Sequence, residues 1–190
     1  MKKLYADFLS ALSMIFGERG ERRSLFYLLQ GTDSDFTSWG HGYISNLAND
    51  ISNEYDLRLN NQEPVSDLIR VVDKIIPYFI LNNAEHDAID LLLNVDKLED
   101  IKTYVNYSNF SKVHMYLSSV CGYCTDQDEL QKILNILYDI SLSLSEYTVA
   151  LRFAIKLDDH EKIKHVFDEC PDEIIKKQLA FNAARQKIFV

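Results

Sequence analysis

The chain is short of the residues that break helices or staple loops. Its 190 residues hold three prolines, six glycines and three cysteines, and five of the glycines precede residue 43. So few breakers over such a length favour long helices over many short strands joined by tight turns. An odd number of cysteines supplies no disulfide framework. No apolar run reaches the roughly 18 residues needed to span a bilayer. Basic residues are in deficit, 20 against 29 acidic, for a net charge of -9. Nothing in that balance attracts a phosphate backbone or an anionic lipid surface, so neither nucleic acid nor membrane is an expected partner. Even the densest basic cluster, Glu18-Arg19-Gly20-Glu21-Arg22-Arg23, is interleaved with acids.

What is present is the material of a folded domain. Hydrophobic residues make up 47% and charged residues 26%, which excludes a disordered or low-complexity chain. A mass of 22.0 kDa suits one domain or a short repeat array. Met1-Lys2-Lys3 before an apolar stretch resembles a secretory signal, but Asp7 interrupts it and no small-residue cleavage pattern follows. At helical spacing Leu4, Phe8, Leu12 and Ile15 line one stripe while Asp7, Ser10 and Ser13 turn away, the pattern of an amphipathic helix. The sequons at Asn106 and Asn109 matter only in the secretory route. The expected location is cytoplasm and nucleus.

Helical periodicity then recurs to the end. Arg22 to Gln30 reads as a short helix stopped by Gly31. Asp33 or Ser34 offers an N-cap to a long segment bearing Phe36, Trp39, Tyr43, Leu47 and Ile51, which fades into the polar stretch Arg58 to Glu63. Pro64 restarts the pattern at a first-turn position, with Val65, Leu68, Ile69, Val72 and Ile76 as the buried stripe. Pro77 is expected to kink or end that helix. Ala84 to Val95 follows, with Ile89, Leu92 and Leu93 inside and Glu85, Asp87 and Asp90 outside, and then a short acidic helix over Lys97 to Val105. Ser108 to Cys124, Asp126 to Leu142, Ser145 to Leu157 and Asp159 to Cys170 each read as one helix, and Pro171 opens the last. Connections of about two to four residues force antiparallel neighbours. The expected fold is all-α: ten or eleven helices in stacked antiparallel hairpins, α-solenoid-like, as a single helical domain over 1–190 divisible into blocks 1–58 and 64–190. No clean 34- or 40-residue consensus emerges, so any repeats are divergent. A single irregular helical domain is the alternative.

Candidate chemistry is thin. Cys121-Gly122-Tyr123-Cys124 has redox spacing, but it closes a helix, whose negative end disfavours a thiolate, and no parallel sheet adjoins it. Zinc would need His114 or Cys170 to join Cys121 and Cys124. His86 and Asp90 stand four apart and could share a metal, yet with Glu85 and Asp87 beside them they read as a solvated face. Trp39-Gly40-His41-Gly42 lacks the third glycine and the preceding strand of a nucleotide loop; its two glycines read as sites of close helix approach. No catalytic residue, cofactor or metal is expected. Trp39, His41 and Tyr43 are the candidate partner-binding residues, with inter-helix packing as their competing role. The stretch Glu85 to Asp100 carries six acids; a solvated face is its default reading, a basic partner helix the other.

Five ordered segments carry a family resemblance. Ser38-Trp39-Gly40-His41 with Tyr43 and Leu47-Ala48 is similar to a signature of the large non-ATPase scaffold subunits of the proteasome regulatory-particle base. Ile76-Pro77-Tyr78 with Asn83-Ala84-Glu85-His86, Ala88, Asp90, Leu91 and Leu92 resembles a second segment, and Lys112-Val113 with Tyr116-Leu117 a third. Ala150-Leu151-Arg152 with Ala154 and Leu157-Asp158-Asp159 resembles a fourth, and Lys177-Gln178 with Ala180-Phe181 and Arg185 a fifth. The matches follow the family's order across nearly the whole chain. The matching region is the helical part preceding the family's toroid of proteasome/cyclosome repeats; that toroid and the family's earliest N-terminal stretch are missing here, as in a fragment or a strongly shortened homologue. The resemblance implies a non-catalytic scaffold that regulates proteolysis beside the base ATPase subunits and other regulatory-particle subunits. In the family, ubiquitin and shuttle factors are held largely by the toroid, so no ubiquitin-binding residue transfers to this chain. A free-standing α-solenoid adaptor for an unrelated protein partner is the alternative function, and a thiol or metal enzyme centred on Cys121 and Cys124 a third.

Overall fold

Helices run along most of the chain, as the scarcity of breakers requires. The structure, a computed structural model, describes residues 1–16, 22–32 and 35–188. It is all-α: α1 (Lys2–Phe16), α2 (Arg23–Gln30), a 3-10 helix (Phe36–Trp39), α3 (His41–Asn60), α4 (Ser66–Leu81), α5 (Glu85–Asn94), a second 3-10 helix (Leu98–Thr103), α6 (Phe110–Tyr123), α7 (Gln127–Ser143), α8 (Tyr147–Lys156), α9 (His160–Glu169) and α10 (Glu173–Arg185). No strand occurs among the described residues. The fold divides into two compact units, Met1–Leu98 and Glu99–Val190. The polar stretch after Arg58, read as a block boundary, is the α3–α4 turn inside the first unit.

Helix starts follow the expected chemistry in the second unit. Asp126, Asp159 and Asp172 stand before α7, α9 and α10, and each carboxylate accepts from backbone N–H groups of the first turn, at 3.0 Å, 3.0–3.1 Å and 2.7 Å. These bonds satisfy donors that a helix cannot satisfy itself. The N-cap expected at Asp33 or Ser34 lies outside the described residues. Pro64 precedes α4 rather than opening it.

Helix ends share one device that stands in for the missing glycines. Gln62, Asn83, Asp96, Ser145, Asp158 and Lys187 all have φ between 51° and 61°. Each gives its N–H to the carbonyl three residues back, while the next N–H reaches five back, as in Ser145 to Leu142 (3.0 Å) and Glu146 to Ser141 (2.9 Å). This left-handed closure satisfies the last carbonyls and reverses the chain within a few residues. It ends α3, α4, α5, α7, α8 and α10 alike.

Two of these turns lie on either side of α5 (Asn83, Asp96) and two on either side of α8 (Ser145, Asp158), and the two pairs are 62 positions apart. Burial repeats at the same offset. Ile51 and Val113, Tyr55 and Leu117, Ile75 and Leu137, Ile76 and Tyr138, Ala88 and Ala150, and Leu91 and Phe153 are all interior. α3–α4–α5 and α6–α7–α8 are therefore two copies of one three-helix unit, and Leu179 of α10 again stands 62 beyond Leu117. Within each unit sequential helices pack as antiparallel hairpins: α4 on α5 in the first, α7 on α8 and α8 on α9 in the second. This is the hairpin architecture of an α-solenoid.

Two expectations change. α4 does not end at Pro77 but continues to Leu81. Pro77 sits on the partly exposed side of the helix, and Asp73, whose carbonyl loses its partner, is exposed and can bond to water. Glu85, placed outside by periodicity, is 4% exposed in the first turn of α5, where the helix dipole favours a carboxylate. The short acidic helix read over Lys97 to Val105 is present as a 3-10 helix, Leu98–Thr103.

The α3–α4 turn is clasped by Arg58, whose Nε lies 2.8 Å from Glu54 and whose Nη1 lies 2.7 Å from Asp67 and donates to the Pro64 carbonyl at 3.0 Å. Arg22 holds the other oxygen of Glu54 at 2.9 Å. Burial raises the Asp67 carboxyl, but the Arg58 hydrogen bond and charge, with two backbone N–H groups, bring it below its ordinary value. A carboxylate depressed in the fold stabilises it above the unfolded pKa, and the contribution vanishes as pH falls through the folded value. Asp67→Asn is therefore expected to lower unfolding stability by about 1 kcal/mol at neutral pH, with parent and variant converging in acid, as urea titrations across pH will measure. At the exposed left-handed position 145, Ser145→Gly is expected to raise stability by about 0.5–1 kcal/mol, read as a higher denaturation midpoint at unchanged slope.

Candidate functional site

The residues Trp39, His41 and Tyr43 are brought together around Gly40, but not as an open patch. Gly40 has φ 104° and ψ 156°, a conformation that side-chain-bearing residues rarely adopt, and it separates the 3-10 helix from α3. The expected single helix through this segment is thus broken by one residue. The break turns Trp39 back onto Tyr43, ring centroids 4.9 Å apart and edge to face. Tyr43 is buried and Trp39 half-buried, while His41 is exposed, its ring 6.2 Å from Tyr78 and 6.1 Å from Phe79. Neither glycine marks close helix approach: a Cβ at Gly40 would meet nothing within 4 Å, and one at Gly42 only the Met14 methyl at 4.0 Å. The first is needed for its backbone angle and the second is not needed.

Behind Tyr43 lies a polar core that periodicity inverts. α1 buries Asp7 (7% exposed) and Ser10 (0%) and leaves Leu4, Phe8 and Ile15 exposed. Ser10 Oγ donates to the Ser24 carbonyl (2.6 Å) and shares a 2.7 Å hydrogen bond with the Tyr43 hydroxyl, and Ser24 Oγ donates to the Ser10 carbonyl at 3.0 Å. Asp7 accepts from the Thr32 backbone N–H at 3.1 Å and from the Thr32 hydroxyl. Its carboxylate occupies the place a side chain at Gly31 would need, 1.9 Å from a Cβ built there. Burial pushes the Tyr43 hydroxyl above its ordinary pKa, so it remains a neutral donor. Small hydroxyls let α1 and α2 approach closely while satisfying one another, which outweighs the apolar stripe on the opposite face.

The thiol pair lies where the sequence put it, at the end of α6. Burial pushes the Cys121 thiol up, against a weaker opposing pull from Lys156; lost solvation and the Glu129 carboxylate, 3.6 Å from Sγ, push Cys124 up. Both are thereby held as thiols rather than the reactive, metal-binding thiolates. Cys170 is buried at the end of α9, and His114 packs between Phe110 and Phe153. His86 faces Asp87 at 3.5 Å. No group of three metal-ligating side chains converges among the described residues. No helix among them is long and apolar enough to cross a membrane.

One concave feature of the second unit is a groove of about 600 Å³ between α8 and α10, lined by Val149, Leu151 and Ile155, by the polar Thr148, Asn182 and Gln186, and by Arg152, Lys156 and Arg185. Charge totals hide it, because the chain is acidic overall. Its one trace in the sequence is the pair of cations a turn apart on α8.

Hairpin helices packed in sequence define a class of fold, the α-solenoid. Comparison with known proteins gives the family. The model of the RPN1 N-terminal domain matches residues 1–190, and the chain belongs to that family. It is 38% identical over 185 residues to "26S proteasome non-ATPase regulatory subunit 2 homolog B" of Arabidopsis thaliana, which covers 97% of this chain. It is 39% identical over 188 residues to "26S proteasome non-ATPase regulatory subunit 2" of Dictyostelium discoideum and 35% identical over 187 to "26S proteasome regulatory subunit rpn1" of Schizosaccharomyces pombe, each covering 98% of it. The chain spans 21% of the length of each of these relatives.

The two glycines of Trp39-Gly40-His41-Gly42 are expected to respond with opposite sign. Gly40→Ala meets no neighbour yet strains the backbone, at a cost of about 1–3 kcal/mol. Gly42→Ala sits inside α3 with room for a methyl and is expected to gain up to about 1 kcal/mol. Chemical denaturation of the two variants reads both signs directly.

Proposed function

We propose that this chain is a non-catalytic scaffold segment of the 26S proteasome regulatory particle, bracing assembly beside the ATPase ring. The observation that carries the reading is the family match over residues 1–190, supported by relatives named as non-ATPase regulatory subunits. The fold suits the role, since stacked hairpins offer extended surfaces for holding partners. Its partners are the base ATPase subunits and other regulatory-particle subunits, in cytoplasm and nucleus. Recruitment of ubiquitinated cargo and shuttle factors falls to the family's repeat toroid, a region this chain does not match.

The protein, tagged at its chromosomal locus, is expected to co-sediment with the large peptidase peak of a native extract. Sedimentation as a small species away from that peak would overturn the reading in favour of a free-standing adaptor.

A further inference from the structure

Three cations, Arg152, Lys156 and Arg185, gather on the α8–α10 groove. Arg22, Arg58, Lys102 and Lys162 face carboxylates, whereas other cations without one among the described residues, such as Lys164 and Lys176, line no such groove. Arg152, Lys156 and Arg185 pair with no carboxylate among the described residues. Arg152 instead lies 3.1 Å from His114 Nε2, and Arg152 and Lys156 lie 5.6 Å and 5.9 Å from the Phe153 ring. These neutral partners fix the two cations without cancelling them. Burial, then the nearby charges of Arg152 and Lys156, lowers the His114 pKa.

The fold does not require these charges. The positions 62 residues earlier, in the equivalent helix α5, are Asp90 and Asn94, and the counterpart of Arg185 is Tyr123. The second copy of the repeat thus carries a basic groove where the first carries an acidic and a neutral residue on the same frame. All three cations are exposed, so they fill no packing role in the core.

We infer that the α8–α10 groove docks an acidic, partly apolar peptide segment of a partner protein. Its carboxylates pair with Arg152, Lys156 and Arg185, and an aliphatic side chain between them enters the groove against Val149, Leu151 and Ile155. A volume of about 600 Å³ admits several side chains. Nucleic acid fits less well: no aromatic ring lines the groove to stack a base, and the net charge of -9 repels a polyanion at long range.

The test is fluorescence anisotropy of a labelled Glu/Leu peptide with the 190-residue chain. Binding is expected to weaken as salt rises, to vanish when the peptide's Glu residues are replaced by Gln, and to fall by at least about tenfold in Arg152→Glu/Lys156→Glu. The milder Arg152→Gln/Lys156→Gln is expected to lose less, and helical circular dichroism of both variants checks that the fold is kept. No binding to the parent chain, equal binding of the Gln peptide, or unchanged affinity in the folded charge-reversed variant would each falsify the assignment. An oligonucleotide that displaces the peptide at lower concentration would reassign the groove to phosphate. The outcome is independent of proteasome assembly, since the sedimentation assay and the peptide assay can succeed or fail separately.

Discussion

Every hairpin here depends on one constraint: a helix must end, satisfy its last carbonyls and reverse within a few residues, or its apolar stripe finds nothing to bury against. The left-handed closure at Gln62, Asn83, Asp96, Ser145, Asp158 and Lys187 meets that constraint six times with non-glycine residues. Each such residue carries a modest conformational penalty relative to glycine. Burial of a single Leu or Ile stripe residue contributes about 1.5–3 kcal/mol, so the packing on either side of each turn outweighs it. Scarce glycine is therefore no obstacle to tight reversals; it moves the penalty onto polar residues that tolerate φ > 0.

The same balance of local preference against packing explains where α1 departs from its pattern. Amphipathic periodicity assigns the wider apolar stripe to the interior, but it has no term for hydroxyls that satisfy one another. Ser10, Ser24 and Tyr43 form a closed network, and Asp7 finds Thr32 above a glycine that leaves space for it. A buried polar network is favourable only when all its members are satisfied, and that is a property of three distant segments meeting. No window of sequence contains it. The exposed face of Leu4, Phe8 and Ile15 follows from that choice rather than from any feature of α1 alone.

What was legible is what lives within a helix or at its start. The Leu68, Val72 and Ile76 stripe of α4, the helix starts at Asp126 and Asp159, and the all-helical class follow from spacing and side-chain chemistry. The family resemblance was legible as well, and the match over residues 1–190 bears it out. The 62-residue repeat was not, because its copies share burial rather than identity: Ile76 answers to Tyr138 and Leu91 to Phe153. A core specifies apolar volume more than residue type, so a consensus search for letters fails where a comparison of burial succeeds. The Trp39 and Tyr43 pair was visible as residues, but their packing depended on the φ of Gly40, which sequence spacing does not encode.

Duplication also separates what the frame needs from what it carries. Positions interior in both copies are held to apolar character by packing, whichever copy they serve. Surface positions are free of that demand, and there the copies diverge in charge: acidic Asp90 against Arg152, neutral Asn94 against Lys156. A charge that packing does not require, that meets no counter-charge among the described residues of an acidic chain, and that borders a groove with an aliphatic floor is a surplus the fold itself does not explain. Uncompensated cations on a rigid helix gain little in isolation, because water already solvates them; their larger effect comes when a ligand excludes that water. The groove of the second copy is thus one place where this scaffold departs from its own repeat, and the proposed docking of an acidic segment rests on that departure.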